Sequence, residues 1–387
     1  MKGKLLSGLI IIVFLISLAA CGSLIANKSG DGDSDSSGFS NSGSKKIGIL
    51  MPTKTLERWN KDAAYLEDKF KSEGYEVRIL FSENDTDRQA DDIHELISDG
   101  ADVLIVAAID GEMLTDALKE AKDKNIPVIS YDRLIMNTDA VSYYVSFDNY
   151  KVGSLQGQYI IDKLDLDNAG DKTYNMEIVA GDSNDNNAKF FYSGAMDLLK
   201  DYIDTGIIKI VSGQSDFEAV ATAQWSMDEA MERMRNVLAS YYADGTSLDI
   251  CLCSNDATAL GVTNAIVADY TGKNMPVITG QDADEANLEN IITGKQSMTV
   301  FKALENEAIV TFEIVREILK DEIPDKSICN KVKCECSYDT VSYDNGTGVI
   351  PAYLLTPEIV TKDNYKEKLV DTGYYKIGED GYPEAAE

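Results

Sequence analysis

Charged and amide side chains recur directly after short apolar runs in this sequence. In IPVISYDRLI, an apolar run ends at the neighbouring pair Asp132 and Arg133. Carboxylate and amide groups hydrogen-bond to vicinal hydroxyls, and guanidinium and ammonium groups donate to ring or hydroxyl oxygens. Residues of these types therefore fit a neutral, hydroxyl-rich ligand. Those that follow apolar runs are Glu57, Arg58, Trp59, Asp132, Arg133, Asp182, Asp185, Asn186, Asn187, Asn255, Asp256, Gln281, Asp282 and Lys302.

Both tryptophans of the chain, Trp59 and Trp225, are candidates for the same site. An indole can lie against the apolar C–H faces of a pyranose ring. Trp59 also lies on an apolar helix face and could be a core residue, and Trp225 near the start of a predicted helix is equally open. Asn255 likewise has a second interpretation, as a helix N-cap. A phosphate site is not expected, because neither GxGxxG nor GxxxxGK[ST] is present.

The elements that would position these residues follow a regular alternation. Short, continuously apolar runs such as KIGILMP and VSYYVSF alternate with amphipathic stretches, among them helices predicted over 111–124, 150–164, 186–204 and 222–243. Continuous apolar runs are typical of parallel strands covered by helices on both faces. The rhythm restarts after Asp148, which predicts an α/β protein of two lobes. In such sheets ligands bind beyond the carboxyl ends of the strands, where the polar residues stand.

Composition excludes several classes of function. The chain has 387 residues, enough for two domains, and a formal net charge of −30. Nucleic acid is not an expected partner, because phosphates require a basic face. The single histidine, His94, excludes chemistry that needs several histidines. No cofactor and no metal are expected.

The N-terminal segment predicts the compartment. Lys2 and Lys4 precede an apolar stretch from Leu5 to Ala20, the pattern of a signal peptide over residues 1–21. Leu18–Cys21 reads LAAC and resembles the bacterial lipobox, which implies cleavage before Cys21 and a lipid on its sulfur; an uncleaved anchor is the alternative. Residues 22–45 are rich in Ser, Gly, Asp and Asn and predict a flexible tether. Either way, the protein lies outside the cytoplasmic membrane.

Five further cysteines fall in two groups. Cys251 and Cys253 point to the same face of a predicted strand and are expected to pack as small apolar residues. Cys329, Cys334 and Cys336 allow one disulfide outside the cell, with the pairing open.

Several stretches together resemble a known family. They are KIGILMPTKTLERWNKD, SYDRLI, SFDNYKVG, DSNDNNAKFF, SNDATA, GQDAD, MTVFK and PAYLLTP. These are similar, in the same order, to the xylose-binding and multiple-sugar-binding proteins among the type I periplasmic sugar-binding proteins of ABC transporters. The resemblance runs from about Lys46 to about Lys376.

The resemblance implies a fold, a ligand shell and partners. The fold is two Rossmann-like lobes joined by three hinge segments, with residues 46–149 and 302–350 in the N-terminal lobe and 150–301 and 351–387 in the other. The implied partners are a monosaccharide, an ABC permease and, through Cys21, the membrane; a monomer is expected. Trp59 and Trp225 would flank the sugar ring, and buried charges would be cross-paired without ligand. The implied ligand shell is Arg58, Trp59, Asp132, Arg133, Asp185, Asn187, Trp225, Asn255, Asp282 and Lys302.

The preferred sugar stays open among xylose, glucose, galactose and arabinose. SNDA at 254–257 resembles the xylose-binding members, whereas KIGILMPTKT and VSYYVSFDN are more similar to the broad-specificity members. Two other functions remain as alternatives to transport. One is a sugar-sensing subunit for a membrane kinase or chemoreceptor. The other is a sugar-modifying enzyme using paired carboxylates, which the many basic partners of those carboxylates disfavour.

Overall fold

The alternating apolar and amphipathic segments form strands and helices in the order that the sequence predicts. The structure, a computed structural model, describes Phe39 and residues 43–386. The strands are β1 (Lys46–Met51), β2 (Glu76–Phe81), β3 (Val103–Val106), β4 (Val128–Tyr131), β5 (Val141–Phe147), β6 (Tyr174–Val179), β7 (Ile208–Ile210), β8 (Ile250–Cys253), β9 (Val277–Ile278), β10 (Met298–Phe301), β11 (Cys336–Asp339), β12 (Ala352–Leu355), β13 (Glu358–Thr361), β14 (Tyr375–Ile377) and β15 (Pro383–Ala385). The helices are α1 (Glu57–Ser72), α2 (Thr86–Ser98), α3 (Thr115–Asp123), α4 (Asn149–Leu164), α5 (Asn186–Asp204), α6 (Phe217–Val220), α7 (Met227–Tyr241), α8 (Asp256–Asp269), α9 (Glu285–Thr293) and α10 (Leu304–Ile318).

The first lobe is built on a sheet in the order β11-β12-β5-β4-β3-β1-β2. All its neighbouring pairs are parallel except β11 with β12. Alternate residues of one strand enter two different apolar clusters: Val103 and Ile105 lie in one, and Leu104 and Val106 in the other. This two-sided burial explains why the strands read as continuous apolar runs.

The second lobe repeats this plan with parallel strands in the order β7-β6-β8-β9. Cys251 and Cys253 enter one apolar cluster together, while Ile250 and Leu252 enter the other. The prediction that the two cysteines share one face and pack as apolar residues is therefore confirmed. A short antiparallel pair, β10 with β13, adjoins this lobe through the bridge between Gln281 and Val300.

Within residues 43–386, the chain crosses between the lobes three times. The crossings follow β5 at Asp148, β10 at residues 302–303 and β12 at residues 356–357. The predicted α/β class, with parallel sheets in two lobes, is confirmed.

Part of the predicted domain division was wrong. Residues 351–387 were assigned to the C-terminal lobe, but β12 lies in the first sheet, where it pairs in parallel with β5. The reason is a long-range pairing between Ala352 and Tyr144, which no local pattern encodes. Division of the remaining chain into lobes stays a prediction.

Two predicted helices are shorter in the structure. The helix predicted over 111–124 begins only at Thr115, and the one predicted over 222–243 is α7. Trp225 is therefore not on that helix but ends a 3-10 turn, Ala223–Trp225. Gln224 and Trp225 both have positive φ values, which an α-helix cannot accommodate. The helix predicted over 186–204 is confirmed as α5.

The remaining features of the fold are the cysteines near the C-terminus and the N-terminal segment. Cys329 and Cys336 form a disulfide, and Cys334 is a free thiol. The predicted signal peptide, its Cys21 and most of the predicted tether lie outside the described residues. Phe39, within that tether, packs against an apolar cluster of the first lobe. Among the described residues, no helix is both long and apolar enough to cross a membrane.

Candidate functional site

The first lobe contributes four of the predicted residues from the carboxyl ends of its strands. Arg58 and Trp59 lie in the first turn of α1, which follows β1. Asp132 and Arg133 directly follow β4. Because β1 and β4 are parallel members of one sheet, these ends meet at the same edge.

The second lobe contributes its residues from helix starts and strand ends that face this edge. Asp185 caps α5, and Asn187 lies in its first turn. Asn255 caps α8 through a hydrogen bond from the backbone N–H of Thr258. Asp282 follows β9 and Lys302 follows β10. The N-cap interpretation of Asn255 is thus confirmed, and it does not exclude a place in the site.

All ten predicted residues line one cavity between the lobes. Their side chains are nearly all buried; even Lys302 is only 2% exposed. Four residues outside the predicted ligand shell line the same cavity: Leu56, Phe191, Gln281 and Asp284. Of these, only Gln281 was among the polar residues noted after the apolar runs.

Three of the lining residues adopt backbone conformations that non-glycine residues avoid. Asp132 has a φ of 58°, Trp225 of 56° and Asp282 of 103°. Such residues carry strain of about 1–3 kcal/mol each and persist where the surrounding structure enforces them. Three such residues at one cavity support its choice as the candidate site, and side-chain patterns in the sequence do not contain this signal.

The basic groups of the cavity are paired with carboxylates from both lobes. Arg58 lies 2.9 Å from Asp132 in its own lobe and 3.7 Å from Asp282 in the other. Lys302 lies 3.0 Å from Asp282. Arg133 Nε lies 2.9 Å from Asp185 across the cleft. The prediction that the charges are cross-paired without ligand is confirmed.

These pairs set the protonation states of the cavity. Burial opposes the charge of Arg58, but Asp132 and Asp62 outweigh it and raise the pKa of Arg58 well above its ordinary value. Burial also opposes the charge of Asp132, yet Arg58 and Lys302 hold the pKa of that carboxyl below its ordinary value. Arg58 and Asp132 therefore face a ligand as a permanent donor and a permanent acceptor.

The tryptophans occupy opposite lobes. Trp59 has the guanidinium of Arg58 at 4.3 Å and that of Arg133 at 5.1 Å from its ring, both within cation–π range. It also belongs to the apolar cluster of the first lobe, so it is a core residue and a cavity residue at once. The indole Nε1 atoms of Trp59 and Trp225 are both buried, and neither has a hydrogen-bond acceptor among the described residues.

The position of the Trp225 ring depends on Gly181, a glycine that is part of none of the sequence motifs described above. A Cβ at Gly181 would lie 2.0 Å from the Trp225 ring, so no larger residue leaves room for the indole. Phe191 from α5 contacts the same ring, with centroids 6.1 Å apart. Trp225 is thus held in place by the segment that follows β6 and by α5 together.

Two buried carboxylates behind the cavity were missed. Asp62, one helical turn after Arg58, accepts hydrogen bonds from that guanidinium at 3.1 Å and from the Tyr131 hydroxyl at 2.7 Å. Glu307 on α10 is fully buried and lies 3.9 Å from Arg58. The spacing of four between Arg58 and Asp62 was a usable signal. Glu307 gave none, because α10 is distant in sequence.

A third buried carboxylate, Asp256, organises the loop that carries Asp282. Its Oδ2 accepts from the Thr299 hydroxyl at 2.9 Å and from the backbone N–H of Asp284 at 3.0 Å. Its Oδ1 accepts from the Gln296 side chain at 2.9 Å. Burial raises the pKa of Asp256 to about 8, against the hydrogen bond from Gln296. Asp256 does not line the cavity but holds the residues that do.

Within the described part of the chain, no group of three or more His, Cys, Asp or Glu residues is arranged to hold a metal ion. What the cavity offers is hydrogen-bond donors, acceptors and aromatic faces.

Comparison with known proteins agrees with this architecture. The sequence profile of the periplasmic binding protein domain matches residues 47–323. The chain is 39% identical to the multiple sugar-binding periplasmic receptor ChvE of Rhizobium radiobacter over 333 residues, which are 85% of this chain and 90% of that protein. It is 35% identical to the D-xylose-binding periplasmic protein of Escherichia coli strain K12 over 335 residues, 86% of this chain and 92% of that protein.

A solved structure is similar over the same region. It is an ABC transporter solute binding protein from Clostridium phytofermentans with bound beta-D-glucose. The two proteins share 50% sequence identity and superimpose with a TM-score of 0.81, over 87% of this chain and 99% of that one. The chain described here therefore belongs to the periplasmic binding protein family.

Proposed function

We propose that this protein is an extracytoplasmic solute-binding protein that captures a monosaccharide between its lobes and delivers it to an ABC sugar permease. The observation that carries the proposal is the convergence of ten polar and aromatic side chains from both lobes on one buried cavity. The proposal is supported by the relatives, which are named as sugar-binding proteins, and by the solute binding protein at 50% identity, whose structure contains glucose.

The charges of the cavity favour a neutral ligand. Arg58, Arg133 and Lys302 each have a carboxylate partner within about 3 Å, so the charge of each is balanced. A sugar hydroxyl can donate to such a carboxylate and accept from such a cation without disturbing the balance. An anionic ligand would add a charge to a site already rich in carboxylates.

Each type of lining residue has a distinct part in the proposal. Asp132, Asp185 and Asp282 accept from hydroxyls, while the three basic residues and Asn187 and Asn255 donate to oxygens. Trp59 and Trp225 lie against the C–H faces of the ring. Hinge closure brings the two halves of this shell together.

The finer parts of the proposal are the sugar and the anchor. Glucose is the first sugar to test, followed by xylose, galactose and arabinose. Attachment through a lipid on Cys21, and action as a monomer, belong to the same proposal.

The experiment is a titration of the purified protein with glucose, xylose, galactose, arabinose and ribose, followed by tryptophan fluorescence and calorimetry. We expect micromolar binding of at least one of the first four sugars, about −8 kcal/mol. Trp225→Ala should weaken binding by about 2 kcal/mol or more, because a buried aromatic contact is lost, and Trp225→Phe should retain most of it. Absence of both heat and fluorescence change with every sugar would overturn the proposal.

A further inference from the structure

Leu56 lies between two spaces of different character. One is the inner cavity described above; the other is an outer groove, which Leu56 also lines. We infer that Leu56 is a specificity-determining gate that restricts the ligand to a single sugar ring. This inference rests on the proposed function and adds the class of ligand that the cleft rejects.

The outer groove has the chemistry of a second sugar site. The first lobe lines it with Thr55 and Asn84, and the second with Gln224, Ser226 and Asp228. Hydroxyl, amide and carboxylate groups such as these hydrogen-bond to sugar hydroxyls. A second ring attached to the bound sugar would therefore find partners in the groove if it had a path to it.

Leu56 blocks that path by packing against both lobes. Leu56 is partly buried and packs against the apolar cluster of the first lobe that contains Trp59. It also packs against the cluster of the second lobe that contains Phe191 and Trp225. Its side chain thus spans the cleft beside the residues proposed to hold the ring. Asp284 is the other residue common to the cavity and the groove.

Local helix stability does not account for a leucine at this position. Leu56 is the N-cap of α1, and its side chain makes no capping hydrogen bond. Ser, Thr, Asp and Asn are the residues that stabilise this position, and Leu is among the poorest. Asp85, Asp148 and Asn255 cap their helices with side-chain hydrogen bonds. Leu114 and Ala303 also precede their helices, α3 and α10, without a capping hydrogen bond, but neither of them lines the cavity or the groove.

The test compares Leu56→Ser and Leu56→Ala with the wild-type protein by calorimetry. The ligands are glucose and three disaccharides of glucose: maltose, cellobiose and gentiobiose. In each disaccharide, a glycosidic bond joins C1 of one glucose unit to O4 or O6 of the other. The second ring can therefore extend from the bound ring in several directions. The serine variant supplies a good N-cap, which keeps α1 intact while the gate is removed.

We expect the wild-type protein to bind glucose and to reject the disaccharides. Either variant should bind at least one disaccharide about tenfold or more tightly than the wild-type protein does, the size of effect that a few methylene groups in a pocket produce. Glucose binding by the variants shows that they are folded. Leu155→Ala is the matched control, because Leu155 packs against the same cluster of the second lobe but lines neither space.

Two results overturn the gate. One is that the wild-type protein binds a disaccharide as tightly as glucose; the other is that the variants bind glucose but gain no disaccharide. A different result, in which the wild-type protein binds no monosaccharide at all, refutes the proposed function and the gate with it.

Discussion

At the scale of single residues, chemically identical carboxyls around the cavity have different properties because their neighbours differ. Asp132 faces Arg58 and Lys302, which outweigh its burial and lower the pKa of that carboxyl. Glu307 is equally buried but lies close to Asp132 and Asp62, so burial and these neighbours raise the pKa of Glu307 well above its ordinary value. The carboxyl that faces the cavity is therefore ionised, whereas the carboxyl behind it favours protonation.

Asp256 provides a test of this difference. Burial raises the pKa of Asp256 from its ordinary value of 3.8 to about 8 in the folded protein. The folded state therefore binds this proton more tightly than the unfolded state does. Protonated Asp256 therefore contributes to the stability of the folded state at low pH, and this contribution is lost as the pH rises through about 8.

We expect Asp256→Asn, which cannot ionise, to flatten the decline in unfolding free energy between pH 5 and pH 8. One proton corresponds to a slope of about 1.4 kcal/mol per pH unit, which is the upper limit of the difference. Urea unfolding at several pH values measures it. Asp269→Asn, on an exposed residue at the other end of α8, should leave the slope unchanged. Parallel pH profiles for wild-type protein and Asp256→Asn would contradict the raised pKa.

At the scale of elements, the position of α5 determines where several residues of the second lobe lie in the cavity. This helix carries Asn187 and Phe191, and its cap is Asp185. It packs on α4 through glycines on both sides. A Cβ at Gly153 would lie 1.9 Å from the carbonyl oxygen of Phe191, and one at Gly194 would lie 2.1 Å from that of Tyr150. The contact is therefore backbone against backbone.

Gly153→Ala should destabilise the protein although it improves helix propensity. Propensity alone predicts a gain of about 1 kcal/mol in α4. The added methyl group instead forces α5 away, and such overpacking costs about 1–3 kcal/mol. Urea unfolding measures the net loss, and calorimetry should show weaker sugar binding because Phe191 moves. Lys163→Ala, on the exposed face of α4, is the control; a Gly153→Ala protein as stable as this control would argue against the close contact.

At the scale of the whole molecule, buried ion pairs join the two lobes. Arg133 pairs with Asp185, and Asn187 donates a hydrogen bond to the carbonyl oxygen of Asp132 at 2.8 Å. Both contacts span the cleft, so they exist only while the lobes are closed. Closure thus depends on the same groups that are proposed to bind the sugar.

We expect Arg133→Met to leave Asp185 buried without its partner in the closed form. Losing one partner of a buried pair typically costs about 2–5 kcal/mol, so calorimetry should show correspondingly weaker glucose binding. X-ray scattering should show a smaller radius of gyration with saturating glucose than without it in the wild-type protein. Arg235→Met breaks an exposed pair with Asp269 and should change binding by less than about 1 kcal/mol. Equal effects of the two substitutions would mean that the cross-cleft pair plays no part in closure.

The sequence by itself determined the α/β class, the alternation of strands and helices, and the gathering of polar residues after the strands. These follow from local periodicity and from a general rule: parallel strands bring their carboxyl ends to one edge, so polar residues after strands such as β1 and β4 must meet. The family resemblance added the ligand shell as a hypothesis, which the titrations above test.

Only the tertiary structure decided the features that depend on residues far apart in the chain. These are the insertion of β12 beside β5, the pairing of Cys329 with Cys336, the positions of Leu56, Asp62 and Glu307 around the cavity, and the glycines that seat Trp225 and α5. None of them has a local signature, except for the spacing of Asp62 from Arg58. A contact such as that of Glu307 with Arg58 joins α10 to α1, and its energy exists only once the intervening chain has folded.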